Sequence, residues 1–124
     1  MLERVDPAAG TLLLVALDED QVLGYAKSGE FRERPAYAST REVSVYIAED
    51  AQGAGVGIAL YRGLLERLEG IGLRLAVGGV TQPNPASERL HLAHGFTEVG
   101  TFNDVGVKLG RPWDVRWYQR KLRP

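Results

Sequence analysis

Residues Ser44–Tyr61 read SVYIAEDAQGAGVGIALY, and three kinds of local structure follow one another within them. Val45 and Ile47 alternate with Ser44 and Tyr46, the period-two pattern of a half-buried strand. Gln52, Gly53, Gly55 and Gly57 then crowd together, which suits a tight loop. From there Val56, Ala59, Leu60, Leu64 and Leu68 recur at helical spacing, with Arg62, Glu66 and Arg67 on the other side. A strand, a glycine loop and a helix in this order turn several backbone N–H groups toward one point at the positive end of the helix. That point favours a phosphate or pyrophosphate. The loop lacks the Lys-Ser/Thr of a P-loop and the G-x-G-x-x-G spacing of a dinucleotide fold, so the usual nucleotide folds are disfavoured.

Working outward, Thr11–Leu17 (TLLLVAL) and Val22–Lys27 (VLGYAK) flank Asp18-Glu19-Asp20 and read as an antiparallel hairpin. Met1–Ala9 has no clear periodicity, and Phe31–Ala38, broken by Pro35, reads as an irregular loop or strand end. The strand of the opening stretch starts at Arg41, with Val43 in its apolar row. Downstream, Gly70 and Gly72 stop the helix. Leu73–Val80 is strand-like, and its glycine pair marks a bulge or a close backbone approach. Asn84 and Pro85 form an N-cap and first-turn pair, opening a helix that ends near His94 at Gly95. Phe96–Phe102 is β-like, Asn103–Gly106 a loop, and Val115–Leu122 the last strand. Strand–helix–strand around the glycine loop implies a parallel pair, and the hairpins imply antiparallel neighbours. The expected fold is α/β: one domain spanning 1–124, with a mixed, mostly antiparallel sheet flanked by helices.

The 124 residues are 44% hydrophobic and 25% charged, which is ordinary for a globular domain. A net charge of −1 argues against a nucleic-acid or membrane partner. The basic group Arg116, Arg120, Lys121 and Arg123 reads as a solvated chain end. Without cysteine there is no disulfide framework, thiolate metal site or Cys nucleophile. His91 and His94 together make an incomplete metal site, so no metal is expected. No apolar run reaches membrane-spanning length and no signal peptide is visible, so the expected location is the cytoplasm.

Gln52-Gly53-Ala54-Gly55-Val56-Gly57 resembles the coenzyme-binding core of the GNAT N-acetyltransferases, Gln/Arg-x-x-Gly-x-Gly/Ala. A second motif of that family, Asn-x-x-(Ala/Ser)-x-x-Leu-(Tyr/His)-x-x-x-Gly-Phe, is matched from Asn84 through Ser87, Leu90 and His91 to Gly95 and Phe96. Arg34-Pro-Ala-Tyr37, Glu42 and the tail Val107–Val115 are similar to the phosphinothricin and methionine sulfoximine acetyltransferases, although Pro112 stands where a tryptophan is usual and Trp113 follows it. Members begin with a strand and two helices. This chain begins near the second strand, so the resemblance implies an N-terminally shortened GNAT-like sheet.

The resemblance implies acetyl-CoA as cosubstrate and, as partners, a small-molecule amine and a second copy in a homodimer. The acceptor would be the amino group of a small amino acid or analogue. Acyl transfer needs a base for the amine, a polarised carbonyl and a proton for the departing thiolate. By resemblance Glu42 is the base and His91 the proton donor. The amides of Val45 and Ile47 would hold the pantetheine arm, and one would polarise the carbonyl. Gln52, Gly53, Gly55, Val56 and Gly57 would cradle the pyrophosphate, with Asn84 and Ser87 lining the channel. Arg34, Tyr37 and Lys108 would hold the acceptor. A non-catalytic acyl-CoA-binding module, or transfer to a different amine, is the alternative.

Overall fold

A computed structural model describes residues 2–5, 11–53 and 55–124, with side chains from residue 11 onward. Seven strands form one sheet in the order β1-β2-β3-β4-β5-β7-β6. They are β1 (Leu2–Val5), β2 (Leu12–Asp18), β3 (Gln21–Glu30), β4 (Thr40–Ile47), β5 (Leu75–Thr81), β6 (Thr97–Lys108) and β7 (Arg111–Lys121). Helix α1 (Val56–Leu68) connects β4 to β5, and α2 (Pro85–Ala93) connects β5 to β6. Every pairing is antiparallel except β4 with β5, the parallel pair that the strand–helix–strand pattern requires. No helix among the described residues is long and apolar enough to cross a membrane.

Three sequence expectations need correction. A strand, β1, precedes β2 where no periodicity was visible; it is held by its ladder to β2. The supposed loop at Asn103–Gly106 lies inside β6, where the register shifts between Phe102 and Gly106 and Asp104 adopts a φ of 56°. Such a bulge absorbs extra residues without ending the strand, and the Asp104 amide is satisfied by Asp114 Oδ1 at 2.9 Å. The basic cluster is a solvated chain end only in part: Lys121 and Arg123 are exposed, whereas Arg116 and Arg120 are half-buried. Arg116 pairs with Glu88, and Arg120 and Arg123 both pair with Glu69, tying β7 and the C-terminus to the two helices. Trp113 donates its indole N–H to the Lys108 carbonyl and stacks under the Arg111 guanidinium, so this indole braces the β6–β7 turn.

Both helices pack on one face of the sheet. Leu60, Leu64, Leu65 and Leu68 of α1 are buried against Leu12, Leu14, Ala26 and Val43. Helix α2 enters this core through His91, which touches Tyr61 of α1. It also lies over Gly78 of β5, where a Cβ would fall 2.7 Å from His91 Nε2. The glycine pair in β5 therefore marks close approach and not a bulge, since the β5–β7 register runs unbroken. The opposite face carries Tyr25 stacked on Tyr46, with Leu75, Val77 and Trp117 further along, and no α-helix among the described residues; the short 3-10 turn Pro35–Tyr37 borders it through Tyr37.

Candidate active site

The parallel ladder between β4 and β5 is short. It runs from Thr40 opposite Leu75 to Glu42 opposite Val77, although both strands continue beyond. Past Glu42 the strands separate, which leaves one edge of β4 without a strand partner. Ala48 donates its N–H to Leu23 of β3 at 2.8 Å. Backbone groups alternate in direction along a strand. The amides of Val45 and Ile47 therefore point away from β3, into the gap.

A cleft of about 450 Å³ opens there on the helical face, within the usual range for small-molecule sites. Val45, Tyr46 and Ile47 form one wall, the glycine loop and first turn of α1 the floor, and Asn84, Ser87 and Leu90 the other wall. Gly53 and Gly55 have φ of 83° and 80°, the left-handed region that glycine enters at no steric cost. Gly55 is the N-cap of α1 and offers no side chain to cap the helix. The first-turn amides are thus left uncapped beside the cleft. Gly57 is helical, with no positive φ, and a Cβ there would sit in ordinary van der Waals contact with Ile47 and Leu90 at 3.6 Å. Asn84 accepts from the Ser87 N–H at 3.1 Å, so it caps α2 and lines the cleft at once. Gln52, Gly53, Gly55, Val56, Gly57, Asn84, Ser87, Val45 and Ile47 are all brought together here.

Glu42 occupies the last rung of the β4–β5 ladder. Its neighbour Val43 is buried in the core, so Glu42 faces the opposite, helix-free side. Its cross-strand partners are Gly29 and Val77, neither charged. No ion pair among the described residues engages it. A second cleft, about 570 Å³, lies on that side between Tyr37, Val77, Phe102 and Trp117.

His91 does not line the glycine-loop cleft and is 3% exposed. Its Nδ1–H donates to the Ser87 carbonyl at 2.7 Å, the usual bond of a helical histidine to the preceding turn. Its Nε2 then accepts from the Tyr61 hydroxyl at 2.8 Å. Burial pushes the Tyr61 hydroxyl far above the usual tyrosine range, so this group stays a donor. Burial also holds the His91 imidazole below its ordinary pKa, which keeps it neutral. Both ring nitrogens are occupied and the ring is enclosed by Tyr61, Phe96 and Tyr118. The proton-donor role read from sequence is therefore corrected: His91 ties α2 to α1, the elements that bound the cleft. His94 caps the end of α2, with Nδ1 2.8 Å from the Leu90 carbonyl.

The sign of the His91 shift gives a pH prediction. A histidine whose folded pKa is lowered makes the unfolded state bind more protons at acid pH. Stability should be full above about pH 6.5 and fall as pH drops from there toward the folded pKa. Urea denaturation at pH 7.5 and 5.0 should give a larger loss for the wild type than for His91→Gln. Equal losses would show that His91 does not carry the dependence.

Of the three acceptor candidates, only Tyr37 lines the second cleft. Arg34 is exposed as the N-cap of a short 3-10 turn, Pro35–Tyr37. Lys108 sits at the far end of β6 opposite Arg111 and lines neither cleft. Arg32, Phe31 and Trp117 do line it and were missed. Arg32 had only its closeness to Arg34 as a signal, and Trp117 joins the site by strand pairing alone.

Comparison with known proteins agrees with this architecture. A model of the acetyltransferase (GNAT) family matches residues 2–96, most of the chain. The chain belongs to the GNAT acetyltransferase family. This GNAT chain is 53% identical over 103 residues to an N-acetyltransferase of Streptomyces griseus, covering 83% of this chain and 53% of that one. It is 48% identical over 112 residues to the phosphinothricin N-acetyltransferase of Streptomyces coelicolor, covering 89% and 66%. Among solved structures, a GNAT superfamily phosphinothricin acetyltransferase from Sinorhizobium meliloti in complex with AcCoA superposes with a TM-score of 0.85 at 37% identity, covering 93% and 63%. The GNAT chain thus spans between about half and two thirds of the length of these relatives.

Proposed function

We propose that this GNAT chain is an acetyl-CoA-dependent N-acetyltransferase acting on the α-amino group of a small amino acid or analogue. The observation that carries this reading is the divergence of β4 and β5. It leaves the Val45 and Ile47 amides unpaired beside the glycine loop and sets Glu42 on the last rung before the gap. A pantetheine arm can pair with that free edge as an added strand does. The uncapped first turn of α1 suits a pyrophosphate. Apolar walls at Val45, Val56 and Leu90 suit the arm between them.

In transfer, the acceptor nitrogen forms a bond to the acetyl carbon and the C–S bond of the thioester breaks. Glu42 takes the amine proton, directly or through a water, and passes it to solvent. An amide of β4 donates to the carbonyl oxygen as negative charge grows on it. The sulfur leaves as thiolate and is protonated to the coenzyme thiol. His91 supplies no proton, because its ring is enclosed away from the cleft. Tyr37, and Arg34 from the adjacent 3-10 turn, are proposed as acceptor contacts; Lys108 is withdrawn because it lies at the β6–β7 turn.

The test is release of free thiol from acetyl-CoA with a panel of amino acids. Tight acetyl-CoA binding without turnover on any amine would favour the binding-module alternative, and absence of binding would sink both. A homodimer is part of the proposal. The edge strand β6 and its turn expose Phe102, Val105, Val107 and Leu109, all between 54% and 88% accessible. An edge with that much apolar surface gains from being covered. Light scattering should give twice the chain mass; a monomer at micromolar concentration would contradict it.

A further inference from the structure

Helix α2 reaches the sheet with little apolar help. Of its 9 residues only His91 is buried, and Leu92 is exposed. A helix this short is not stable by itself, so tertiary contacts decide where it stands. On one side Ser87 and Leu90, with the N-cap Asn84, face the glycine-loop cleft. On another, Glu88 reaches β7. Its Oε1 accepts from the Tyr118 hydroxyl at 2.8 Å and from an N–H of the Arg116 guanidinium. Arg116 is itself tied to Thr101 of β6, donating from Nε to the hydroxyl at 3.1 Å. Tyr118 is buried and stacks on His91. The Tyr118 hydrogen bond, with Arg116 beside it, holds the Glu88 carboxyl below the usual carboxylate range, so it is ionised at neutral pH. Glu88 and His91 are three residues apart and share one face of α2. Together they join it to β7 and to Tyr61 of α1. In the second family motif Glu88 falls at a position left open between Ser87 and Leu90, so the resemblance gives it no part.

We propose that Glu88 is a positioning residue for coenzyme binding: gripped by Arg116 and Tyr118, it holds α2 against β7 so that Asn84, Ser87 and Leu90 stand as a preformed wall of the glycine-loop cleft. The inference rests on the acyl-transfer reading above and adds to it a residue that lines neither cleft. An exposed ion pair by itself contributes little. Here one half-buried carboxylate oxygen takes two donors from the same strand, one of them a buried phenol, and charge-assisted bonds of this kind are the strong ones. Strand β7 lies between β5 and β6, so both donors come from a backbone paired on each side. A wall held in place before binding spares the coenzyme the cost of ordering it. Releasing Glu88 therefore weakens coenzyme binding and leaves the chemical step alone.

The experiment titrates acetyl-CoA calorimetrically into the wild type, Glu88→Ala, Glu88→Gln and Tyr118→Phe, and follows thiol release with the best amine of the panel. Glu88→Ala should weaken acetyl-CoA binding about tenfold, the factor that one charge-assisted hydrogen bond supplies. Its KM for acetyl-CoA should rise in step, while KM for the amine and kcat at saturating acetyl-CoA stay near the wild type. Glu88→Gln should recover most of the affinity, because the amide carbonyl still accepts from Tyr118. Adding Tyr118→Phe to Glu88→Ala should cost little more than Glu88→Ala alone, since both act through one contact. Hydrogen exchange should be faster across residues 85–93 of Glu88→Ala and unchanged across 56–68, with acetyl-CoA restoring protection. A folded Glu88→Ala with a lower urea midpoint but unchanged acetyl-CoA affinity would make Glu88 merely structural and overturn this inference, with the acyl-transfer reading left standing. A lowered kcat with unchanged acetyl-CoA affinity would overturn it as well. Should Glu88→Ala not fold, Tyr118→Phe and Arg116→Gln decide: weaker acetyl-CoA binding in both supports the inference, and wild-type affinity in both overturns it. No acetyl-CoA binding by the wild type would remove the acyl-transfer reading and this inference together.

Discussion

Replacing Glu42 by Gln should lower kcat/KM for acetyl transfer at neutral pH by about 10²-fold or more, in the range that general-base catalysis typically contributes. The substitution keeps the shape of the side chain and removes only its ability to take a proton. The position has no ion pair among the described residues and no charged cross-strand neighbour, so little stability should be lost with the charge. Affinity for acetyl-CoA should be unchanged, because Glu42 faces the side of the sheet opposite the helical face that carries the glycine-loop cleft. The rate of Glu42→Gln should recover as pH rises and the free amine becomes abundant without help. A variant with the wild-type rate at pH 7 would remove Glu42 from the mechanism.

Gly55→Val should have the second largest effect, on binding. Gly55 holds a φ of 80° at the N-cap of α1. A side chain in that region costs roughly 1–2 kcal/mol, and a β-branched one is the least tolerated there. A Cβ at this site meets no protein atom within 4 Å, and Gly55 lines the cleft. The added isopropyl group therefore projects into space that a bound pyrophosphate would use, while the strain pushes the first-turn amides out of position. Calorimetric titration should show acetyl-CoA affinity weakened by at least 10-fold, each factor of ten being about 1.4 kcal/mol. Urea denaturation should show a loss no larger than the ~1–2 kcal/mol of backbone strain. Unchanged affinity would mean that the loop does not contact the coenzyme.

Part of the site was legible because its residues are contiguous and perform local jobs. Gly53 and Gly55 announce a backbone conformation, and Asn84 with Pro85 announces a helix start that the Asn84–Ser87 hydrogen bond bears out. His91 was misread for the opposite reason. Its motif position places it near the cleft in sequence, but the direction of its ring depends on Gly78, whose missing side chain lets α2 sink until the imidazole meets Tyr61. Arg116 and Arg120 were misread likewise: a charge cluster looks solvated until Glu88 and Glu69, distant in sequence, are folded against it.

From β2 onward the chain alone determined the order of elements, the parallel crossover around the glycine loop and the family motifs, since periodicity, capping and turn chemistry are encoded within a few neighbouring residues. The length of the β4–β5 ladder was decided only in three dimensions. So were the direction of the Val45 and Ile47 amides, the enclosure of His91, and the meeting of Arg32, Tyr37, Val77 and Trp117 across one cleft. Each depends on which strand lies beside which and on where two strands part, and those are contacts between residues tens of positions apart that no local pattern specifies.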